Sequence, residues 1–253
     1  MEPTFFVRTD IQNNIATIRF FHPASNSFPS SQLANLAESI SELNSNNDIH
    51  LIILKSEGEK AFCAGASFDE LLNITNLEQG SLFFSGFANV INAMRKSNKL
   101  IIGRIQGKTV GGGVGLAAAC DYTFATKAAA IKLSELAIGI GPFVIEPAVS
   151  RKIGKPALAE MTLDAENWKS ADWAFENKLY TQLFDNVELM DDALEKFTKT
   201  LSSYNPEALT EMKKVLWEGT ENWDTLLRER AAISGKLVLS KFTVNALNAF
   251  KNN

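Results

Sequence analysis

The segment Val110-Gly111-Gly112-Gly113-Val114-Gly115-Leu116 constrains the fold more than any other stretch of this chain. It lies between an apolar run, Leu100-Ile101-Ile102-Gly103-Arg104-Ile105, and an alanine-rich one, Ala117 to Cys120. A leucine- and isoleucine-rich run, then clustered glycines, then good helix formers spells strand, tight turn, helix. Glycine lets a backbone approach a ligand closely, and the start of a helix presents unpaired N–H groups carrying partial positive charge. Such a turn holds negative charge, either a phosphate or an oxyanion that develops during a reaction.

Related strand-glycine-helix units recur from Leu51 and from Ile131. Leu51-Ile52-Ile53-Leu54 has the continuous apolar character of a strand covered on both faces. It leads to Phe62-Cys63-Ala64-Gly65-Ala66, a second small-residue turn, with Ser67 placed to cap the helix that follows. Ahead of these units, Thr9 to Phe21 breaks at Asn13-Asn14 and alternates afterwards, as a β-hairpin or paired strands do. Pro23 to Pro29 is a loop, and the spacing of Leu33, Leu36, Ile40 and Leu43 predicts an amphipathic helix capped by Ser30 or Ser31. Phe83, Phe84, Phe87, Val90, Ile91 and Met94 predict another. Tyr122 to Ala125 and Ala130 to Leu133 read as strands, and Pro142 is expected to start a helix running to Ile153. Beyond Gly154 come helices at Pro156 to Leu163 and Ser170 to Asn177, a strand at Tyr180 to Phe184, and long helices from about Met190, one opened by Asn205-Pro206-Glu207. The expected division is a mixed α/β core, 1–195, and a helical region, 196–253.

With 253 residues the chain can hold one large core plus an appendage. Its net charge of −4 shows no basic excess, and its lysines and arginines form no stripe, which disfavours nucleic acid. The beginning, Met1 to Phe6, lacks a basic-then-apolar leader, and no apolar run reaches the about 18 residues of a membrane span. The expectation is a cytoplasmic protein with no membrane partner. Cys63 and Cys120 lack metal-ligand spacing and read as buried thiols. His22 and His50, the only histidines, read as structural, and no metal is expected.

Two small-residue turns, ending at Ala66 and Gly112, can each aim a backbone N–H at one oxygen if their strands are neighbours. Such a hole stabilises an enolate or tetrahedral oxyanion, and losing one donor costs about 10²–10³ in rate. It needs an acid or base beside it. Glu135, ending a short apolar stretch, is the best placed carboxylate, and burial there would favour its neutral form.

These residues carry a family resemblance. Phe62 to Ala66, Gly107 to Asp121, and Leu133-Ser134-Glu135-Leu136-Ala137-Ile138-Gly139 resemble the crotonase (enoyl-CoA hydratase/isomerase) superfamily. The match continues through Ala165-Glu166, Ser170 to Ala174 and Asn205 to Leu209 to Ala249-Phe250, so it covers nearly the whole chain. It implies a spiral of repeated β-β-α units, a carboxy-terminal helical region serving trimerisation and covering the active site, and a homotrimer or dimer of trimers. It implies an acyl-CoA substrate, with no cofactor beyond the coenzyme A of that substrate. The amides of Ala66 and Gly112 would form the oxyanion hole and Glu135 would move the proton. Ala64, Gly65, Phe68, Gly111, Gly115 and Phe143 would contact substrate.

One departure matters. Gly115 stands where two-carboxylate hydratases carry their first glutamate. Bacterial methylglutaconyl-CoA hydratases resemble the chain in the glycine region, which places hydration first. Δ3,Δ2-enoyl-CoA isomerases also rely on a single glutamate, at the Glu135 position, and resemble Gly139 to Phe143. A non-catalytic acyl-CoA binding protein is a third reading. Gly113-Val114-Gly115-Leu116-Ala117-Ala118 also fits a dinucleotide fingerprint, but the unit lies in the interior of the chain. Ser67 replaces a usual Asp and serves a cap nearly as well. Glu146 is read as a helix-dipole partner rather than a second acid, Asp69 and Glu70 as solvated acids, and Asp121 as a structural hydrogen-bonding group. Phe83, Phe84, Phe87 and Phe143 can shape an acyl pocket or equally fill a core. Lys60, Lys99 and Lys108 are candidates for the CoA phosphates.

Overall fold

The computed structural model describes residues 5–251, with side chains from 5 to 249. The Met1–Thr4 stretch examined for a leader and the Phe250 side chain of the terminal match lie outside the described residues. Strands β1 (Phe6–Gln12) and β2 (Ile15–Phe21) form the expected hairpin, turning on Asn13 and Asn14 at φ 50° and 66°. Two consecutive left-handed residues give the turn whose twist suits a two-residue hairpin, and asparagine tolerates it.

Three units then repeat one path. Strand β3 (Leu51–Ser56) is followed by β4 (Ala61–Cys63) and helices α2 (Phe68–Leu72) and α3 (Leu77–Lys96). Strand β5 (Leu100–Ile105) is followed by β6 (Lys108–Val110) and α4 (Gly112–Ala119). Strand β7 (Tyr122–Thr126) is followed by β8 (Ile131–Lys132), a 3-10 turn Glu135–Ile138, and α5 (Glu146–Leu163). The first strand of each unit joins a large sheet, ordered β1-β2-β3-β5-β7-β9, in which β9 is Gln182–Phe184. The second joins a small sheet, β4-β6-β8. Beyond the hairpin the named strands pair in parallel, while an isolated antiparallel bridge joins Ile131 of β8 to Lys169. The expected β-β-α spiral is therefore what the chain forms. Every residue of β5 is buried, as a parallel strand covered on both faces requires.

Helices α6 (Ala171–Glu176), α7 (Val187–Ser202), α8 (Pro206–Leu216), α9 (Trp223–Leu237) and α10 (Lys241–Lys251) complete the chain. Residue 195 falls inside α7, whose Met190 and Leu194 pack on Ile102 and Phe124 of the large sheet. Arg104, although in that sheet, is buried because Asp191 of α7 accepts from its Nε at 2.6 Å and Nη2 at 2.8 Å.

Three local expectations are corrected. The helix expected from Pro142 begins at Glu146, with Pro147 in its first turn; Glu146 N–H donates to Pro142 O at 2.9 Å, so 142–145 form the turn before it. Proline favours a first turn because its missing N–H has no partner there anyway, and the signal belongs to the later proline. Helix α1 (Ser30–Asn44) has no side-chain cap from Ser30 or Ser31. Instead Glu70 Oε2 accepts from the Ser30 N–H at 2.9 Å and from its hydroxyl, so Glu70 is not simply solvated. Ser67, by contrast, caps α2 by accepting from the Glu70 N–H.

Candidate active site

The turns after β4 and β6 meet because those strands are neighbours in the small sheet. A Cβ built on Gly65 would lie 3.2 Å from Val110 O and 3.6 Å from Gly112 N, which measures how closely the turns approach. The first is pinned from outside. Phe28 pairs with Ala66, its N–H donating to Gly65 O and its carbonyl accepting from Ser67 N–H, both at 2.8 Å. Asn26, left-handed at φ 57°, donates to Glu57 O and Ala61 O. The Pro23–Pro29 loop is thus a brace for the turn. Among the described residues, neither the Ala66 nor the Gly112 N–H donates to a protein acceptor.

Gly111 occupies φ 52°, ψ −119°, open in practice only to glycine. A Cβ there would also lie 2.9 Å from Oε1 of Glu135. The missing side chain is what brings the carboxylate against the turn. Glu135 opens the 3-10 turn after β8, and Gly139 ends that turn at φ 85°. The residue as a whole is half-buried, but Oε2 is closed to solvent and has no hydrogen-bond partner. Burial pushes its pKa up to about 7, opposed by a backbone hydrogen bond. A carboxyl poised there can both accept and return a proton at neutral pH.

These groups open onto a cavity of about 170 Å³. Ala64, Gly65, Ala66, Phe68, Gly111, Gly112 and Glu135 all line it, as do Phe83, Phe84 and Phe87 of α3. Ile138 and Ile140, from segments that carry the family resemblance, line it too, as do Leu71, Val144, Ile145 and Ser234, which no sequence motif marks. Among the described residues, Glu135 is the only ionisable side chain in the lining, with no lysine or arginine beside it.

Two expected substrate contacts lie outside the wall. The Phe143 ring folds onto Gly141, where a Cβ would meet it at 2.6 Å. Gly115 faces Ile145: a Cβ on Gly115 would lie 2.4 Å from Ile145 Cγ2. The space where the two-carboxylate pattern would start a side chain is filled by an aliphatic group that itself lines the cavity.

The remaining candidates are placed elsewhere. Glu146 pairs with Lys155 and, at 3.7 Å, with Arg230, in the first turn of α5. Lys60 and Lys108 are exposed, the latter 5.0 Å over the Trp168 ring, and Lys99 is buried; none lines the cavity. His22 Nδ1 accepts from Ala24 N–H, and His50 Nδ1 bonds Ser202 O at 2.8 Å. Cys63 and Cys120 are buried free thiols, each pushed up to about 12 by burial. Asp121 accepts from Lys213 Nζ at 2.7 and 3.0 Å, Trp217 Nε1 at 2.7 Å and Ile101 N–H at 2.7 Å, a structural knot tying α8 to the core. Among the described residues no helix is long and apolar enough to cross a membrane.

Comparison with known proteins agrees with this fold. A short-chain-enoyl-CoA hydratase of Clostridium acetobutylicum is 27% identical over 242 residues, 94% of this chain and 92% of the relative. Human mitochondrial methylglutaconyl-CoA hydratase is 33% identical over 117 residues, 46% of this chain and 34% of the relative. The crystal structure of an enoyl-CoA hydratase from Bacillus halodurans superposes with a TM-score of 0.89 at 22% identity, covering 96% of this chain and 99% of that one. Residues 10–244 match the model of the enoyl-CoA hydratase/isomerase family, and the chain belongs to that family.

Proposed function

We propose that the chain binds an enoyl-CoA thioester and catalyses a 1,3-proton shift, converting a 3-enoyl to a 2-enoyl thioester, with Glu135 as the sole proton carrier. The observation that carries this choice is Ile145 in the space beside Gly115, which leaves Glu135 as the one carboxylate in the cavity wall among the described residues. The thioester oxygen accepts from the Ala66 and Gly112 amides. Glu135 takes a proton from C2, and the electrons of that C–H bond spread into a dienolate whose oxygen is held by the two donors. Protonation at C4 by the same carboxyl moves the double bond into conjugation. Atoms are conserved, water takes no part, and no cofactor is needed beyond the coenzyme A of the substrate.

Hydration is the second reading, favoured by the names of the relatives. It asks Glu135 both to activate water and to protonate C2. A methylglutaconyl chain would bring its own carboxylate into a lining without a cation, an expensive burial, and this favours a neutral acyl chain. Exposed Met212, Val215, Phe242 and Val244 on the last helices support the homotrimer or dimer of trimers implied by the family resemblance.

The test is ultraviolet and mass-spectrometric assay against a 3-enoyl-CoA, crotonyl-CoA and 3-methylglutaconyl-CoA. Enoyl absorbance arising from the first without change of mass supports the proton shift. A gain of one water with loss of absorbance from either of the others supports hydration. A Glu135→Gln variant with full activity refutes both.

A further inference from the structure

Ser234 belongs to α9, far along the chain from the turns that build the active site, yet it lines the same cavity. It arrives there through a close helix crossing. A Cβ on Gly80 of α3 would lie 2.7 Å from Gly235 O, and one on Gly235 would lie 2.6 Å from Ser81 N. Only glycine at both positions lets the two backbones touch. Phe83 and Phe84 follow Gly80 by one turn of α3, so the crossing sets Ser234 at the aromatic wall of the cavity.

Ser234 is 1% exposed, and its buried hydroxyl has no hydrogen-bond partner. That is unusual within this chain. Ser85 turns its Oγ back to Ser81 O at 2.7 Å, and Thr198 turns its Oγ1 back to Leu194 O at 2.8 Å, the local satisfaction open to a helical hydroxyl. Thr162 Oγ1 also lacks a partner, but Thr162 does not line the cavity. A buried, unpaired hydroxyl carries a desolvation cost that a ligand oxygen would relieve. Among the described residues the lining holds no cation and its one ionisable group is an acid, which favours an uncharged oxygen.

We infer that Ser234 is a specificity-determining residue that hydrogen-bonds a neutral oxygen, a hydroxyl or carbonyl, on the acyl chain of the substrate. This rests on the acyl-CoA reading of the site. It separates thioesters by what their acyl chain carries, leaving the proton shift itself to Glu135.

The test is calorimetric binding of saturated thioesters, which need no turnover: hexanoyl-CoA, its 4-, 5- and 6-hydroxy derivatives, and adipoyl-CoA, with the native protein and Ser234→Ala. At least one hydroxy derivative should bind about 10-fold tighter than hexanoyl-CoA, the worth of one buried hydrogen bond. Ser234→Ala should abolish that preference while hexanoyl-CoA affinity stays within about two-fold, which also shows the variant is folded. The inference falls alone if hexanoyl-CoA binds and no hydroxy derivative binds better, if the preference survives in Ser234→Ala, or if adipoyl-CoA binds tightest. If no thioester binds, the acyl-CoA reading falls and takes this inference with it.

Discussion

Replacing Glu135 by glutamine keeps the shape of the side chain and removes its charge, so it isolates what that charge does to the fold. In the native state burial raises the carboxyl from 4.5 to about 7. A group whose pKa is raised on folding binds its proton more tightly in the native state. Stability is therefore fullest below about pH 4.5, falls as pH rises through the interval, and levels off above about 7. At 1.36 kcal/mol per unit the penalty above pH 7 reaches about 3 kcal/mol. Glutamine carries no such penalty. Glu135→Gln should match the native protein near pH 4.5 and exceed it by up to about 3 kcal/mol at pH 8.5. For a chain of this size that is roughly 6–12 °C in Tm. The assay is thermal or urea unfolding of both proteins from pH 4.5 to 9. A stability difference that does not change with pH would refute the argument, because it would mean that the carboxylate is not held in a dry site. Activity should move oppositely, rising through about pH 7 as the base form appears.

The Gly115 and Ile145 pair gives a second expectation. Gly115→Glu should not create a two-carboxylate enzyme: its Cβ would fall 2.4 Å from Ile145 Cγ2, and overpacking of this kind costs about 1–3 kcal/mol. Adding Ile145→Ala should recover part of that loss, as unfolding midpoints of the single and double variants will show. Third, Asp121→Asn would leave Lys213, 1% exposed, without its counter-charge and should cost about 3–5 kcal/mol in urea unfolding, whereas an exposed pair such as Lys214 with Glu211 should cost under about 1 kcal/mol.

Much of the architecture was legible because the small-residue turns sit where apolar strands end, and that pattern is local. The Asn13-Asn14 turn, the Ser67 cap and the strand-glycine-helix recurrence are all signals within a few neighbouring residues. Of the candidate site, the legible part is what a local pattern encodes: the small-residue turns of Ala66 and Gly112 and the carboxylate of Glu135, which the fold brings to one cavity. What escaped was tertiary. Glu70 caps a helix that begins 40 residues earlier, so no local capping pattern contains it. Pro142 and Pro147 carry the same local signal, and only the fold shows that the later one sits in the first turn of α5. Gly115 announced a missing carboxylate, but only packing reveals that Ile145 takes the space. Nothing around Ser234 marks it except the glycine after it, whose reason lies on α3.

The repeated path of the chain also bears on when the site comes into being. Ala66 belongs to the first unit, Gly112 to the second and Glu135 to the third, while Ser234 comes from α9. Each pair is distant in sequence, so forming it closes a long loop, the slow kind of step in folding. A nascent chain that has stacked two units already holds both turns proposed as amide donors and still lacks Glu135, the proposed acid. Turnover should therefore be the last property to appear during refolding, after helical signal and after the large sheet. In this molecule catalysis would serve as a clock for the completion of the fold.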